Sequence, residues 1–110
     1  MPSTRPAGSF RLTPGLHHQL IVLANEIVKN GDAHITLVGY SDAVGSPLHC
    51  RVLSRQRAQV AAAALRRYLS NLHVTGMVIS SSGRGSANPI APNATPAGRA
   101  LNRRVVAVLR

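Results

Sequence analysis

The sequence predicts a two-layer α/β (α+β) sandwich, in which two main helices pack on one face of a small sheet. The chain has 110 residues, 45% of them apolar, which is enough for one modest core and too few for two. Segments with helical periodicity alternate with short β-branched runs, as this architecture requires. The sequence contains no internal repeat. We therefore treat residues 1–110 as one domain.

The first predicted helix follows a weakly patterned start. Residues 1–13 contain Pro, Gly and Ser and few apolar side chains, so we expect at most a short edge strand there. From Pro14 to about Lys29 apolar residues recur at helical spacing, with Thr13 placed to cap the helix. These apolar residues are Leu16, Leu20, Leu23, Ala24 and Ile27. The turn residues Asn30-Gly31-Asp32 then end the helix.

A central strand and a long helix are predicted next. The run HITLVGY, from His34 to Tyr40, is β-branched and apolar, and Gly39 near its end indicates backbone crowding or a sharp exit. The loop SDAVGSP leads into an amphipathic stretch from about Leu48 to Leu69, with Ser54 in its first turns. This stretch predicts the second helix.

Two more strands and a long loop complete the predicted fold. Val74 to Ser80 predicts a third strand, and Val105 to Leu109 predicts a fourth strand that closes the chain. Between them lie a Gly/Pro/Asn-rich loop, residues 81–96, and a short helical turn over Ala97 to Arg103. The loop is long enough to need a structural or functional reason.

Arg57 has an unusual position on the second predicted helix. At about 100° per residue it falls in the middle of an apolar arc, whereas Arg51, Arg55 and Arg66 cluster on the opposite, solvated side. The arc consists of Leu53, Val60, Ala61, Ala64 and Tyr68. An inward-facing guanidinium cannot lose its proton, so it requires an anion or several carbonyl acceptors.

Asp42 is the acidic residue best placed to meet Arg57. Only Glu26, Asp32 and Asp42 are acidic, and Asp42 lies in the loop between the central strand and the second helix. Two interpretations of the pair remain open. Either it is a structural salt bridge that ties the loop to the helix, or it lies at a cleft and holds a zwitterion. In the second case the carboxylate takes an ammonium group and the guanidinium takes a carboxylate.

Three segments of the chain resemble one known family. LVGYSDAVGS, LSRQRAQVAAAAL and GRGSANPIAPNATPAGRALNRRVVAVL are similar, in order and spacing, to the OmpA-like domain of outer-membrane protein A, peptidoglycan-associated lipoprotein and flagellar stator proteins. The resemblance covers roughly residues 8–110 and implies a β-α-β-α-β(-β) order with a mixed sheet. It also implies that residues 1–8 are a partial first strand or a flexible start, in a domain excised from a longer envelope protein.

The same resemblance implies a binding site. In the family, the aspartate of a Gly-aromatic-hydroxyl-Asp turn and the arginine of a Leu-Ser-x-x-Arg-Ala helix grip the diaminopimelate of the peptidoglycan stem peptide. These positions fall on Asp42 and Arg57. The family's NRR element falls on Asn102, Arg103 and Arg104, and the resemblance implies that Arg103 helps to shape the ligand cleft. The remaining residues of the expected peptidoglycan-binding set, which belong to the first two motifs, are Tyr40, Ser41 and Leu53.

The chain departs from the family pattern at two places. Tyr40-Ser41 stands where the family commonly has His-Thr, a change that keeps a ring and a hydroxyl. Cys50 stands where the family commonly has an asparagine that helps to fix the loop and line the cleft. The thiol therefore raises a question about the affinity for the ligand, and not about the fold.

The implied function is reversible, noncovalent attachment to the cell wall, without catalysis and without a cofactor. The domain would hold a tethered partner against peptidoglycan in the bacterial envelope, and any membrane attachment would need a segment upstream of this chain. Whether the domain forms a homodimer is left open. The formal net charge of +10 also favours polyanionic partners, among them anionic wall polymers.

Two other functions remain as alternatives. The positive charge fits a basic nucleic-acid-binding module, although only 3% of the residues are aromatic and no stacking platform or recognition helix is visible. The second alternative is an OmpA-like fold that has lost its ligand and serves as an interaction domain. The substitution of Cys50 for the usual asparagine is the feature that favours it.

The sequence favours neither a metal site nor an enzyme. Adjacent His17 and His18 point apart on a helix, and the other histidines lie in separate elements. No Gly-x-Ser-x-Gly elbow occurs, and the three scattered acidic residues do not form a glycosidase pair. The single cysteine, Cys50, has no evident base and rules out an internal disulfide.

Overall fold

Strands alternate with helices along the chain, which confirms the predicted α/β sandwich. The computed structural model describes residues 9–12, 16–31 and 34–110. In chain order the elements are β1 (Ser9–Leu12), α1 (Leu16–Asn30), β2 (His34–Tyr40), α2 (Pro47–Asn71), β3 (Val78–Gly83), α3 (Pro96–Asn102) and β4 (Arg104–Leu109). The predicted cap at Thr13 and Pro14 and the expected start at 1–8 lie outside the described residues. Within the described ranges, no helix has both the length and the apolarity to cross a bilayer.

The four strands form one mixed sheet in the order β1-β4-β2-β3. β2 and β3 run parallel, with Ile35 opposite Ile79, and α2 provides the crossover between them. β4 pairs antiparallel with both β1 and β2. β1, at the edge of the sheet, is the short strand that was expected within the first thirteen residues.

The apolar core lies between the sheet and the two long helices. Alternate residues of β2 and β4 are buried, because successive side chains of a strand point to opposite faces of the sheet. The core residues are Leu20, Leu23, Ala24 and Ile27 of α1, Ile35 and Leu37 of β2, Ala58, Ala61, Ala62, Leu65 and Leu69 of α2, and Val105, Ala107 and Leu109 of β4. Both helices therefore pack on one face of the sheet, as predicted.

The buried face of α2 differs from the predicted arc. Ser54, Ala58, Ala61 and Leu65 are fully buried, whereas Val60, which was placed inside the arc, is 64% exposed. The helical wheel misplaced the arc because alanines occur on several sides of this helix and weaken its apolar pattern. Arg57 consequently lies at the margin of the buried face and is only partly buried. The arginines assigned to the solvated side, Arg51, Arg55 and Arg66, are exposed as predicted.

Two glycines let the backbone of α2 lie close to the sheet. A Cβ added to Gly39 of β2 would overlap the carbonyl oxygen of Ser54, and one added to Gly83 of β3 would overlap the backbone nitrogen of Arg55. The crowding that the sequence indicated at Gly39 is therefore confirmed. The first turns of α2, which carry the residues of the candidate site, are held against the ends of β2 and β3.

β3 begins at Val78, four residues later than predicted. After α2 ends, the chain turns through His73 and Gly76, whose φ angles of 56° and 86° lie in the left-handed region that strands do not use. The backbone nitrogen of Val74 donates to the carbonyl oxygen of Leu69 over 3.0 Å, so this residue completes the helix end and does not pair with β2. The boundaries predicted for β4 and the short third helix differ from the structure by one residue.

Candidate functional site

Asp42 lies in the loop between β2 and α2, where two donors hold its carboxylate. Nη1 of Arg103 donates to Oδ2 over 2.7 Å, and the backbone nitrogen of Val44 donates to Oδ1 over 3.1 Å. The first contact is a charge-assisted ion pair, with the Asp42 side chain 14% exposed and that of Arg103 38% exposed. The second is an Asx turn within the loop. Together they fix the carboxylate beside the start of β4.

These contacts determine the charge of Asp42. Burial alone would raise the pKa of its carboxyl group, but the hydrogen bonds from Arg103 and Val44 and the positive charges of Arg103 and Arg57 outweigh burial. The pKa of Asp42 is therefore lowered from its ordinary value, and the group is a carboxylate at neutral pH. Arg103 lowers the pKa of Asp42 through its hydrogen bond and its charge, whereas Arg57 lowers it through its charge.

Arg57 brings to the site a guanidinium nitrogen that lacks an acceptor. Its Nη1 is buried and has no hydrogen-bond partner, and it is the only buried side-chain nitrogen or oxygen in this condition among the described residues. The structure contains no salt bridge between Arg57 and Asp42, because the ion pair of Asp42 is made with Arg103. The direct structural salt bridge considered from the sequence is therefore not formed by this pair. A buried cationic nitrogen without an acceptor is unfavourable, and an added anion would relieve it.

Ser41 and Tyr40 support the loop of Asp42 from the end of β2. The buried Ser41 donates its backbone nitrogen to the carbonyl oxygen of Gly85 over 2.7 Å and its hydroxyl to the carbonyl oxygen of Asp42 over 2.8 Å. The ring of Tyr40 packs against Arg104, whose Cζ lies 3.9 Å from the ring centroid. The hydroxyl of Ser41 thus stabilises the conformation of the loop, and the ring of Tyr40 packs against the first residue of β4.

Leu53 lies one helical turn before Arg57, on the same side of α2, and is partly buried. The structure thus divides the six expected site residues into three groups. Asp42 and Arg103 are in direct contact, Arg57 and Leu53 share a helix side nearby, and Ser41 and Tyr40 act from β2 and its exit. Only the Asp42–Arg103 contact joins two of the charged residues directly.

Cys50 fixes the loop of Asp42 in the place where an asparagine is usual in the resembled family. Its thiol is buried and donates to the carbonyl oxygen of Val44 over 3.2 Å. Nearby, the hydroxyl of Ser46 caps α2 by accepting from the backbone nitrogen of His49 over 3.1 Å. Because the thiol retains a contact with the loop, the change to cysteine leaves the position of Asp42 supported.

Asn102 organises the long loop before α3, a role that sequence reasoning did not assign to it. Its side chain is fully buried, and its Oδ1 accepts from the backbone nitrogens of Ile90 and Ala91 over 2.8 and 3.1 Å. Its Nδ2 donates to the carbonyl oxygen of Ala91 and to Oδ1 of Asn93, each over 2.9 Å. The asparagine of the NRR element was the one sign of this role in the sequence. Its partners could not be predicted, because they lie in a loop without a periodic pattern.

The long loop reaches the candidate site through Asn93. Its Oδ1 also accepts from the backbone nitrogen of Ala43, the residue after Asp42, over 3.3 Å. At the other end of the loop, Nη2 of the buried Arg104 donates to the carbonyl oxygen of Asn88 over 2.9 Å. The length of the loop thus has a structural reason, since it packs against the start of β4 and supports the loop of Asp42.

Metal ligands do not cluster anywhere in the described part of the chain. No group of three or more His, Cys, Asp or Glu residues is close enough there to hold a metal ion. The charged groups at the site are one carboxylate and two guanidinium groups, from Asp42, Arg57 and Arg103. Such a set suits a ligand with its own carboxylate and ammonium groups better than it suits a cation.

Comparisons with known proteins agree with the fold. Residues 6–103 match the model of the OmpA family. The peptidoglycan-binding protein ArfA of Mycobacterium tuberculosis is 43% identical over 98 residues, which is 89% of this chain and 29% of that protein. The chain therefore spans less than a third of the length of this curated relative.

Solved structures of similar fold come from other bacteria. The cell wall anchor of the T6SS from Pseudomonas aeruginosa superposes with a TM-score of 0.67 and 26% identity, covering 87% of this chain and 66% of that one. The peptidoglycan-associated lipoprotein from Burkholderia pseudomallei superposes with a TM-score of 0.69, covering 99% of this chain and 93% of that one. At 24% identity, the second similarity concerns the fold alone.

Proposed function

The chain belongs to the OmpA family, and on this premise we propose that it binds peptidoglycan noncovalently through the diaminopimelate of the stem peptide. Arg57 takes the carboxylate of the zwitterionic end of diaminopimelate, Asp42 takes its ammonium group, and Arg103 holds Asp42 in place. The domain anchors a tethered partner to the wall, in the bacterial cell envelope, without catalysis.

The unpartnered nitrogen of Arg57 is the observation that carries this proposal. Its Nη1 is buried and lacks an acceptor. The positive charge of Arg57 also helps to lower the pKa of the neighbouring Asp42. A ligand carboxylate would give the guanidinium a charge-assisted, forked contact. The ligand ammonium would in turn meet a group that the lowered pKa keeps ionised.

Diaminopimelate fits this arrangement better than lysine does. The two differ at the end of the side chain, where diaminopimelate carries a carboxylate beside the ammonium group and lysine carries the ammonium group alone. Only diaminopimelate can therefore satisfy Arg57 and Asp42 together. By the same reasoning, amidation of that carboxylate would weaken the contact with Arg57, because a carboxamide carries no charge.

The relatives support attachment to the wall as the role of the domain. One relative is named for peptidoglycan binding, and one structure of similar fold is described as a cell wall anchor. Neither name describes catalysis. Dimerisation of the domain would be a separate property that the site does not need.

The test is a titration of the purified domain with a soluble muropeptide that contains diaminopimelate, followed by amide chemical shifts. A muropeptide with lysine in the same position is the matched ligand control, since it lacks only the terminal carboxylate. Asp42→Asn and Arg57→Gln are the site variants, and Arg67→Gln, an exposed arginine on the same helix, is the protein control.

With the diaminopimelate muropeptide we expect saturable changes in the amide chemical shifts around Asp42 and Arg57. The lysine muropeptide should cause only weak changes. Both responses should be lost in the site variants. Each site variant should lower the affinity by about 2 kcal/mol or more. Folded site variants that bind with unchanged affinity would refute the proposed pair. Shifts only with a short DNA duplex would indicate a basic nucleic-acid-binding module, and no shifts at all would indicate an interaction domain that has lost the ligand.

A further inference from the structure

Ser54 joins the helix of Arg57 to the loop of Asp42. It lies three residues before Arg57 on α2, and its side chain is fully buried. Its hydroxyl accepts from the backbone nitrogen of Gly85 over 2.8 Å and donates to a carbonyl oxygen of the preceding helical turn over 2.8 Å. The carbonyl oxygen of Gly85 accepts from the backbone nitrogen of Ser41, the residue before Asp42, over 2.7 Å. Two successive hydrogen bonds at Gly85 therefore connect α2 to the loop of Asp42.

Asn93 holds the residue on the other side of Asp42. Its Oδ1 accepts from the backbone nitrogen of Ala43 over 3.3 Å and from Nδ2 of Asn102 over 2.9 Å, so that Asn93 is itself fixed to the end of α3. Asn93 and Gly85 belong to the same loop, which joins β3 to α3. The residues before and after Asp42 thus both donate their backbone N–H groups to this loop.

The separation of Asp42 from Arg57 is not set by a contact between their side chains. The two form no salt bridge, and the buried Nη1 of Arg57 has no hydrogen-bond partner. Their separation therefore depends on the backbone segments that carry them. Ser54 fixes the first turns of α2 against the loop that joins β3 to α3, and Asn93 fixes the same loop against the residue after Asp42.

A ligand that meets both charged groups at once depends on this separation. An ammonium group and a carboxylate on one carbon atom have a fixed, short spacing, so Asp42 and Arg57 must present their charges at a matching distance. Groups that are already held in place lose little conformational freedom on binding, whereas mobile groups must first be ordered at a cost in affinity. A ligand with the ammonium group alone needs only Asp42. Its affinity therefore depends little on the separation.

We propose that Ser54 and Asn93 are positioning residues, which hold Asp42 at the distance from Arg57 that an ammonium group and a carboxylate on one carbon atom require. They determine which ligand is preferred without touching it. This role rests on the proposed function, because the zwitterionic end of diaminopimelate is taken as the ligand. It predicts an effect on the ratio of two affinities, which a role in the stability of the fold alone would not have.

The two positions allow substitutions that remove or keep the connections. Ser54→Ala removes a hydroxyl that donates and accepts at once, and it leaves the N–H group of the buried Gly85 without its acceptor. Asn93 uses only its oxygen, since Oδ1 accepts both of its side-chain hydrogen bonds within the described residues. Asn93→Ala therefore removes these contacts, whereas Asn93→Asp keeps an acceptor for each of them.

The test measures the affinity of the purified chain for the diaminopimelate muropeptide and for the lysine muropeptide. The variants are Ser54→Ala, Asn93→Ala and Asn93→Asp. Ile35→Val is the control for a general loss of packing, because Ile35 is fully buried and lies at the opposite end of β2 from Asp42.

We expect the unaltered chain, Asn93→Asp and Ile35→Val to prefer the diaminopimelate muropeptide by the same factor, within about twofold. Ser54→Ala and Asn93→Ala should lower the affinity for the diaminopimelate muropeptide roughly tenfold. The same two variants should leave the affinity for the lysine muropeptide nearly unchanged, so that the preference between the two ligands shrinks.

A second measurement, the pKa of Asp42 followed through the chemical shift of its carboxyl carbon, needs no ligand. Burial raises this pKa, but the hydrogen bonds from Arg103 and Val44 and the charges of Arg103 and Arg57 outweigh burial and lower it. In the two alanine variants the pKa should rise toward its ordinary value, because the carboxylate is no longer held beside these groups. Ile35→Val should leave it unchanged.

Equal losses of affinity for the two muropeptides in folded alanine variants would show that Ser54 and Asn93 are only structural, and would overturn the proposal. An unchanged preference together with an unchanged pKa of Asp42 would overturn it as well. If Ser54→Ala does not fold, Asn93→Ala decides, since Asn93 is only partly buried. Failure of the proposed function has a different signature. The unaltered chain would then not distinguish the two muropeptides, while a raised pKa of Asp42 in the alanine variants would uphold the positioning role.

Discussion

Nη1 of Arg103 lies 2.7 Å from Oδ2 of Asp42, although 61 residues separate the two in the chain. The register of the sheet explains this proximity. Tyr40 is paired with Arg104 across β2 and β4, so Asp42 and Arg103 lie just beyond the last pair of an antiparallel ladder. A slip of one residue would exchange Arg103 with Arg104 and would abolish both the ion pair and the contact with the ring of Tyr40.

Replacement of Arg57 by methionine is expected to separate stability from binding. The substitution removes the buried nitrogen that has no acceptor, so the free energy of unfolding should stay the same or rise by about 1 kcal/mol. Affinity for the diaminopimelate muropeptide should fall at least about thirtyfold, which is about 2 kcal/mol. Urea denaturation and titration measure the two effects, with Arg67→Met as the control. A loss of stability above about 2 kcal/mol would mean that Arg57 is structural.

Acid should weaken the fold through Asp42. The pKa of Asp42 is lowered in the folded chain, so the carboxylate stabilises the fold above its unfolded pKa of about 3.9 and loses this effect as the pH falls through the folded value. The free energy of unfolding of the chain should exceed that of Asp42→Asn by about 1 kcal/mol at pH 7, since the ion pair is partly exposed. Denaturation at pH 7, 4 and 2.5 should show the gap closing. A gap that is constant with pH would contradict the lowered pKa.

Asn102→Ala is expected to destabilise the fold by about 3 kcal/mol. The change leaves the backbone nitrogens of Ile90 and Ala91 without their acceptor in a buried place. Asn102→Asp should give no rescue, because it buries a charge and turns a carboxylate oxygen toward the carbonyl oxygen of Ala91 and Oδ1 of Asn93. Thermal denaturation measures both variants. Should the alanine variant be as stable as the unaltered chain, the long loop is held by contacts other than those of Asn102.

Gly39→Ala is expected to cost about 3 kcal/mol or to prevent folding. The added methyl would overlap the carbonyl oxygen of Ser54, which is backbone and cannot rotate away. Gly31→Ala is the matched control, because nothing lies within 4 Å of a Cβ there and the only penalty is its φ of 69°. The control should lose about 1 kcal/mol in the same urea titration. Equal losses in the two variants would show that crowding by α2 is unimportant.

Local patterns in the sequence predicted most elements well and their contacts less well. The boundaries of β2 agree with the prediction because a β-branched run between turn residues has few alternatives. β3 was misplaced because Val74 and Thr75 also favour a strand, and only the turn at Gly76 shows that the chain is still reversing there. Sequence spacing cannot reveal contacts between distant segments.

The candidate site illustrates the same limit. Asp42 and Arg57 were predicted from charge and spacing, and the resemblance to a family added Arg103, but the actual partner of Asp42 was not foreseen. The ion pair depends on the register between β2 and β4, which no local pattern specifies. The structural role of Asn102 was missed for a related reason. Its side chain makes four hydrogen bonds to an irregular loop, and no local pattern in the sequence predicts such contacts.

Asp42 lies in a loop, Arg57 on a helix and Arg103 just before β4, and the three come near one another only when the sheet is complete. An unfolded chain therefore has no affinity for the ligand that this constellation would hold. Binding that is confined to the folded state shifts the folding equilibrium, by about 2.7 kcal/mol when the free ligand is at a hundred times its dissociation constant. The sacculus, with its dense array of stem peptides, would then stabilise the folded state of the bound domain. Proteases that cleave unfolded chains would therefore degrade the bound domain more slowly than the free domain.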